Sequence, residues 1–103
     1  MPLNDPCTVG SIQLPNRLVM TAMGVGLGEH AGKATDDFIA FYARRAQGGC
    51  GLVITEITRV CEGHGIGEYD QLSLSCDENV PSFAKMADAI HAFGSKIFVQ
   101  LQH

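Results

Sequence analysis

The sequence predicts an α/β protein built on parallel strands. Three observations carry this. Apolar stretches rich in β-branched residues alternate with amphipathic helical stretches, in the order strand, helix, strand, helix, strand, after a short opening hairpin. The stretches read as strands are apolar at consecutive positions rather than at every second one, the pattern of strands covered on both faces. Each helical stretch closes on glycine, at Gly48-Gly49 and at Gly94, before the next strand begins. Two architectures satisfy this order: a doubly wound open sheet, or part of a (β/α)8 barrel.

The elements follow in turn. Cys7–Val9 and Ile12–Leu14 flank Gly10-Ser11, which suits a tight hairpin. After the turn residues Pro15-Asn16, Leu18–Met23 reads as a buried parallel strand, and a glycine-rich loop runs on to about Ala34. Thr35–Gln47 is the clearest helix. Thr35 is an N-cap, Asp36 and Asp37 suit the positive end of the helix dipole, and Arg44 and Arg45 suit the negative end. Phe38, Phe41, Tyr42 and Arg45 form one stripe, with Ile39, Ala43 and Ala46 beside it. Leu52–Thr58 is the second strand, followed by a long loop from Arg59 to Ser75. A second helix spans Asn79–Phe93, with Val80, Phe83, Ala84, Ala87 and Ile90 expected on its inner face and Pro81 tolerated in its first turn. Lys96–Gln102 is the third strand.

Composition narrows the function. The chain has 103 residues, of which 46% are hydrophobic and 17% charged, so one packed domain is expected rather than a disordered chain. The net charge is −4 and basic residues are not clustered, which argues against nucleic acid and anionic membranes as partners. No apolar run reaches membrane-spanning length and the polar start carries no leader pattern, so a cytoplasmic location is expected. The cysteines at 7, 50, 61 and 76 lack CxxC spacing and read as reduced thiols. Cys61-x2-His64 with Cys76 lacks an evident fourth zinc ligand, so no metal site is assigned.

The glycines at 24, 26 and 28 do not complete a known phosphate motif. Gly28 falls one place early for G-x-G-x-x-G, and the helix starts too late. Gly32-Lys33 lacks the first glycine of a P-loop, and Ala34 stands where a hydroxyl is required. Glycine after a buried strand still lets backbone approach a flat ligand closely. In α/β folds ligands sit at the carboxyl ends of the strands, here Thr21–Gly24, Thr55–Thr58 and Gln100–His103. Gln100 offers both a donor and an acceptor, matching a ring with alternating C=O and N–H groups, or else bonds to neighbouring backbone. Glu56, a carboxylate on an apolar strand, is either paired or at the strand mouth, and a structural arginine partner is expected ahead of a catalytic role.

Three segments, "LPNRLVMTAMG" (14–24), "GGCGLVITEITRV" (48–60) and "CDENVPSFAKMADAIHAFGSKIFVQLQH" (76–103), together resemble the beginning of the old yellow enzyme family, in order and spacing. The resemblance implies a (β/α)8 barrel with a hairpin across its base. It implies FMN as cofactor, NADH or NADPH as reductant, and a small substrate with an activated C=C bond. It also implies flavin contacts from Thr21, Ala22, Met23 and Gly24, from Ile57, and from Gln100 to the pyrimidine edge; it assigns no catalytic residue to this chain. Four positions depart from the family pattern: Ala22 replaces a frequent proline, Gly24 a Thr or Cys, Gly26 an aromatic residue, and Ile57 a smaller one. These bear on the substrate and the redox poise.

A (β/α)8 barrel takes roughly 250 residues. Residues 1–103 therefore read as an N-terminal fragment of a flavin-binding barrel domain, truncated after the hairpin, the first three strands and two helices. The isolated chain is expected to lack turnover and to expose a strand edge that invites a homo-oligomer or a swapped assembly. The alternative function is a self-standing α/β binding or assembly module without flavin.

Overall fold

A computed structural model describes residues 2–103. Strands β1 (Cys7–Val9) and β2 (Ile12–Leu14) form the expected antiparallel hairpin, Cys7 opposite Leu14 and Val9 opposite Ile12. Gly10 takes φ +59°, the left-handed conformation a tight turn demands. Asn16 anchors the exit from the hairpin: its Nδ2 donates to the Gly49 carbonyl at 2.7 Å, and its Oδ1 accepts from the Leu18 amide at 3.0 Å. The hairpin thus lies at the amino ends of the strands that follow. A cleft of about 400 Å³ separates its residues Ser11–Gln13 from Lys96–Phe98.

The main sheet is parallel. Strand β3 (Val19–Met20) pairs with β4 (Leu52–Arg59), which pairs on its other side with β6 (Lys96–Gln102). A short strand β5 (Leu72–Ser73) lies parallel to the end of β4, with Thr58 opposite Leu72 and Arg59 opposite Ser73. The stretch 59–75, expected as a loop, therefore returns once to the sheet.

Helix α1 (Asp36–Gln47) begins as predicted, the Thr35 hydroxyl accepting from the Phe38 amide at 3.2 Å. Helix α2 (Val80–His91) follows a 3₁₀ turn at Asp77–Asn79 and ends two residues earlier than expected. Both helices pack on one face of the sheet. Phe38, Ile39, Tyr42 and Ala46 of α1 meet Phe83, Met86 and Ile90 of α2 over Val53, with Met20, Ile97 and Val99 against them. The buried stripe of α2 differs from the predicted one: Val80 and Ala84 are exposed and Met86 is fully buried. Positions 83, 86 and 90 share a helical face turned slightly from the one through Val80, Ala84 and Ala87, and the long methionine side chain fills it better than alanine. On α1, Arg45 leaves the core and lays its guanidinium over the Phe41 ring, 3.6 Å from the centroid.

Two expectations for the first strand require correction. Only Val19 and Met20 keep ladder geometry, and coverage on both faces is not seen, since Leu18 is 45%, Val19 38% and Met23 55% exposed. Successive side chains on a strand point to opposite faces. Met20 meets the helices, and Val19 faces the side on which no helix of the described residues lies.

One irregularity sets the geometry at the far end of β4. Ile54 is opposite Phe98, but Ile57 is opposite Gln100, so Thr55 and Glu56 together face the single residue Val99. This bulge resets the alternation. Phe98 and Gln100 share the face away from the helices, and therefore so do Ile54 and Ile57, although three positions apart.

Candidate functional site

The carboxyl ends of β3, β4 and β6 form a rim, and the two long loops fold over it. Glu56 is the central residue. Its side chain is 1% exposed, and its carboxylate accepts from the Val25 amide at 2.9 Å and from the Leu72 amide at 3.0 Å. Its own amide donates to the Tyr42 hydroxyl at 2.9 Å. Among the described residues no arginine pairs with it, which corrects the expected ion pair: backbone amides satisfy this carboxylate instead. Burial pushes its carboxyl above the ordinary value, the Val25 and Leu72 amides pull it back, and the nearby Glu68 carboxylate pushes upward again.

The Glu56–Val25 bond seats the glycine segment beside the end of β4. A Cβ built on Gly24 would lie 2.8 Å from Glu68 Oε1, so Glu68 occupies the space a side chain at 24 would take. Thr21, Met23 and Gly24 are exposed and Ala22 is half-buried. The backbone groups of Ala22, Met23 and Gly24 make no hydrogen bond among the described residues. Ile57 is half-buried; Gln100 lies directly opposite it, exposed, with its amide group unbonded among the described residues. The Gln100 backbone N–H donates to Thr55 Oγ1 at 3.3 Å across the bulge. The strands are parallel, and the three predicted segments meet at one end of the sheet.

The loops contribute residues that sequence reading missed. Gln71 is fully buried and uses its whole amide. Its oxygen accepts from Gly67 and Glu68 at 2.6 and 2.8 Å; its nitrogen donates to the Ile57 carbonyl at 3.2 Å and to Gln102 Oε1 at 3.0 Å. Arg59, 1% exposed, donates to Glu62 at 2.9 Å, to the Gln71 carbonyl at 3.1 Å and to the His30 carbonyl at 2.7 Å. Arg59, then the Ser75 and Ser73 hydroxyls, hold the Glu62 carboxyl down to about 2. An arginine ending an apolar strand is a sequence signal for such a clamp, since a buried guanidinium demands several acceptors. His30 stacks on Tyr69 with ring centroids 4.4 Å apart, joining the two loops. All four cysteines are free thiols, and among the described residues no group of three or more His, Cys, Asp or Glu side chains converges. No helix is long and apolar enough to cross a membrane among the described residues.

Parallel strands whose carboxyl ends carry unpaired backbone, apolar side chains and a free amide match the ligand-binding end of an α/β fold. The family described as NADH:flavin oxidoreductase / NADH oxidase matches residues 2–103, and the chain belongs to that family. An NADPH dehydrogenase of Listeria monocytogenes is 45% identical over 93 residues, covering 89% of this chain and 27% of that protein. An NADH oxidase of Thermoanaerobacter brockii is 36% identical over 95 residues, covering 92% of this chain and 15% of that protein. The solved old yellow enzyme from Pichia sp. AKU4542 superposes with a TM-score of 0.89 at 32% identity, over 98% of this chain and 26% of that one. The chain thus spans between 15% and 27% of the length of these relatives. The family is one of oxidoreductases, with FMN as cofactor and NADH or NADPH as reductant.

Proposed function

We propose that residues 1–103 form the opening segment of a flavin-binding (β/α)8 barrel that reduces activated alkenes at the expense of NADH or NADPH. The observation that carries this reading is the rim itself: Val25 is bonded to Glu56, and Gln100 stands opposite Ile57, with its amide turned away from both helices. The donor set suits FMN. Met23 and Ile57 offer apolar surface to a flat ring, Thr21, Ala22 and Gly24 offer close backbone, and Gln100 offers one donor and one acceptor to a pyrimidine-like edge.

The chemistry FMN supplies when bound is hydride transfer from the reduced nicotinamide to an alkene conjugated to a carbonyl. This chain's own residues bind and orient. Gln100, opposite Ile57, would hold the polar edge of the ring by hydrogen bonds, and Ile57 would offer it apolar surface. Gly24 leaves room in which the Glu68 carboxylate, rather than a side chain of residue 24, borders the site. The proposal includes a small-molecule partner and a cytoplasmic location, a reading supported by the four free thiols, which stay reduced in that compartment.

The test is to express the whole reading frame and measure bound FMN by its visible absorbance, then NADH and NADPH oxidation with a simple cyclic enone. Wild-type protein is expected to carry FMN, and Gln100→Leu to bind it about tenfold more weakly, one lost hydrogen bond to the ring being worth about 1 kcal/mol or more. A wild-type protein without FMN, soluble and assembled, would support the non-catalytic module instead.

A further inference from the structure

The bulge in β4 is a device rather than a defect. We infer that Thr55 and Glu56 are positioning residues for the flavin site, one holding the Gln100 strand and the other holding the Gly24 segment; this deepens the flavin reading of the preceding subsection and rests on it.

The geometry is specific. Regular alternation after Ile54 would turn Glu56 to the open face and Ile57 to the helices. The extra residue sends both Thr55 and Glu56 to the helix side, where they are fully buried or nearly so, at 0% and 1% exposure. Two backbone groups freed by the bulge find new partners: the Gln100 amide takes the Thr55 hydroxyl at 3.3 Å, and the Glu56 amide takes the Tyr42 hydroxyl at 2.9 Å. Thr55 Oγ1 in turn donates to the Glu56 carbonyl at 3.0 Å, locking the two bulged residues together. The Glu56 carboxylate then reaches sideways to Val25 and Leu72, one amide from each rim loop. A β-strand cannot both present Ile57 to the open face and supply a buried carboxylate to the loops without such an insertion. Both side chains are buried on the helix side, away from the open face that carries Ile57 and Gln100, so each acts through a neighbour.

Three variants of the whole reading frame test this: Thr55→Val, Thr55→Ser and Glu56→Gln. Two readouts are taken, amide hydrogen exchange and the dissociation constant for FMN. Thr55→Val, nearly isosteric, is expected to speed exchange at the Gln100 amide and to weaken FMN binding about tenfold, or about 1.4 kcal/mol. Thr55→Ser restores the hydroxyl and is expected to restore both. Glu56→Gln is expected to speed exchange at Val25 and Leu72 and to loosen FMN similarly. A folded Thr55→Val protein that binds FMN as tightly as wild type overturns the inference, and so does failure of Thr55→Ser to rescue a weakened site. Wild-type protein that takes up no FMN overturns the flavin reading itself, an outcome distinct from either.

Discussion

Replacing Tyr42 by Phe isolates a single buried hydrogen bond. The ring is 0% exposed, packs against Phe38 and Phe41, and is kept by the substitution. What disappears is the hydroxyl that accepts from the Glu56 amide at 2.9 Å. That N–H sits on a bulged residue and has no ladder carbonyl to return to. Leaving a buried donor without a partner costs about 1–3 kcal/mol, the expected loss in unfolding free energy near neutral pH. A second arm uses alkaline pH. Burial raises the Tyr42 hydroxyl from the ordinary 10.0 to about 12, with the Glu56 carboxylate adding to the rise and the Glu56 amide opposing it. A folded-state pKa above the unfolded one contributes stability that is fully present below about pH 10 and is lost as pH rises through about 12. The contribution is on the order of 2 kcal/mol. The gap between wild type and Tyr42→Phe should therefore shrink over that window. Urea denaturation followed by circular dichroism at several pH values measures it. A gap below about 0.5 kcal/mol near pH 7, or one that stays constant from about pH 9 to 12, would refute the reasoning.

Glu62 behaves oppositely with acid. Its depressed carboxyl contributes stability present above the ordinary value of 4.5 and lost as pH falls through about 2. Carboxyl carbon NMR should follow Glu62 titrating below its neighbours, and Ser75→Ala, removing the second of its three hydrogen-bond partners, should move that titration upward. Met86→Ala should cost about 2–5 kcal/mol by opening a cavity between the helices and the sheet, while Val80→Ala, at an exposed position, should stay within about 0.5 kcal/mol in the same urea assay.

Much of the chain announces itself locally. Gly10 marks the hairpin, Thr35 and Gly48 bracket α1, and the run Lys96–Gln102 coincides with β6, because caps, turns and β-branched runs are decided by neighbours in sequence. The remainder depends on partners far along the chain. Strand β5 has only two residues and exists because Glu56 and β4 capture Leu72 and Ser73. The α2 face could not be fixed from spacing, since alanines at 84 and 87 add little to either of two overlapping stripes and only packing against Ile90 and Val53 selects Met86. At the rim, Ile57 and Gln100 were legible as strand ends, but the bulge that turns Ile57 to the open face was not. Thr55-Glu56 reads as an ordinary pair of strand residues until the register with β6 is known. The arginine expected beside Glu56 lies instead at Arg59, three residues on, where it serves carbonyls and Glu62.

The saturated amide of Gln71 makes the rim a shared possession of loop and sheet. With each of its four bonds taken, by Gly67, Glu68, Ile57 and Gln102, the side chain has one orientation only. A loop transplanted from a relative, or lengthened by even one residue between Gly67 and Gln71, would tug on the ends of two strands at once. Engineers wishing to reshape this rim would do better to recombine residues 59–73 as a block than to edit the loop tip alone.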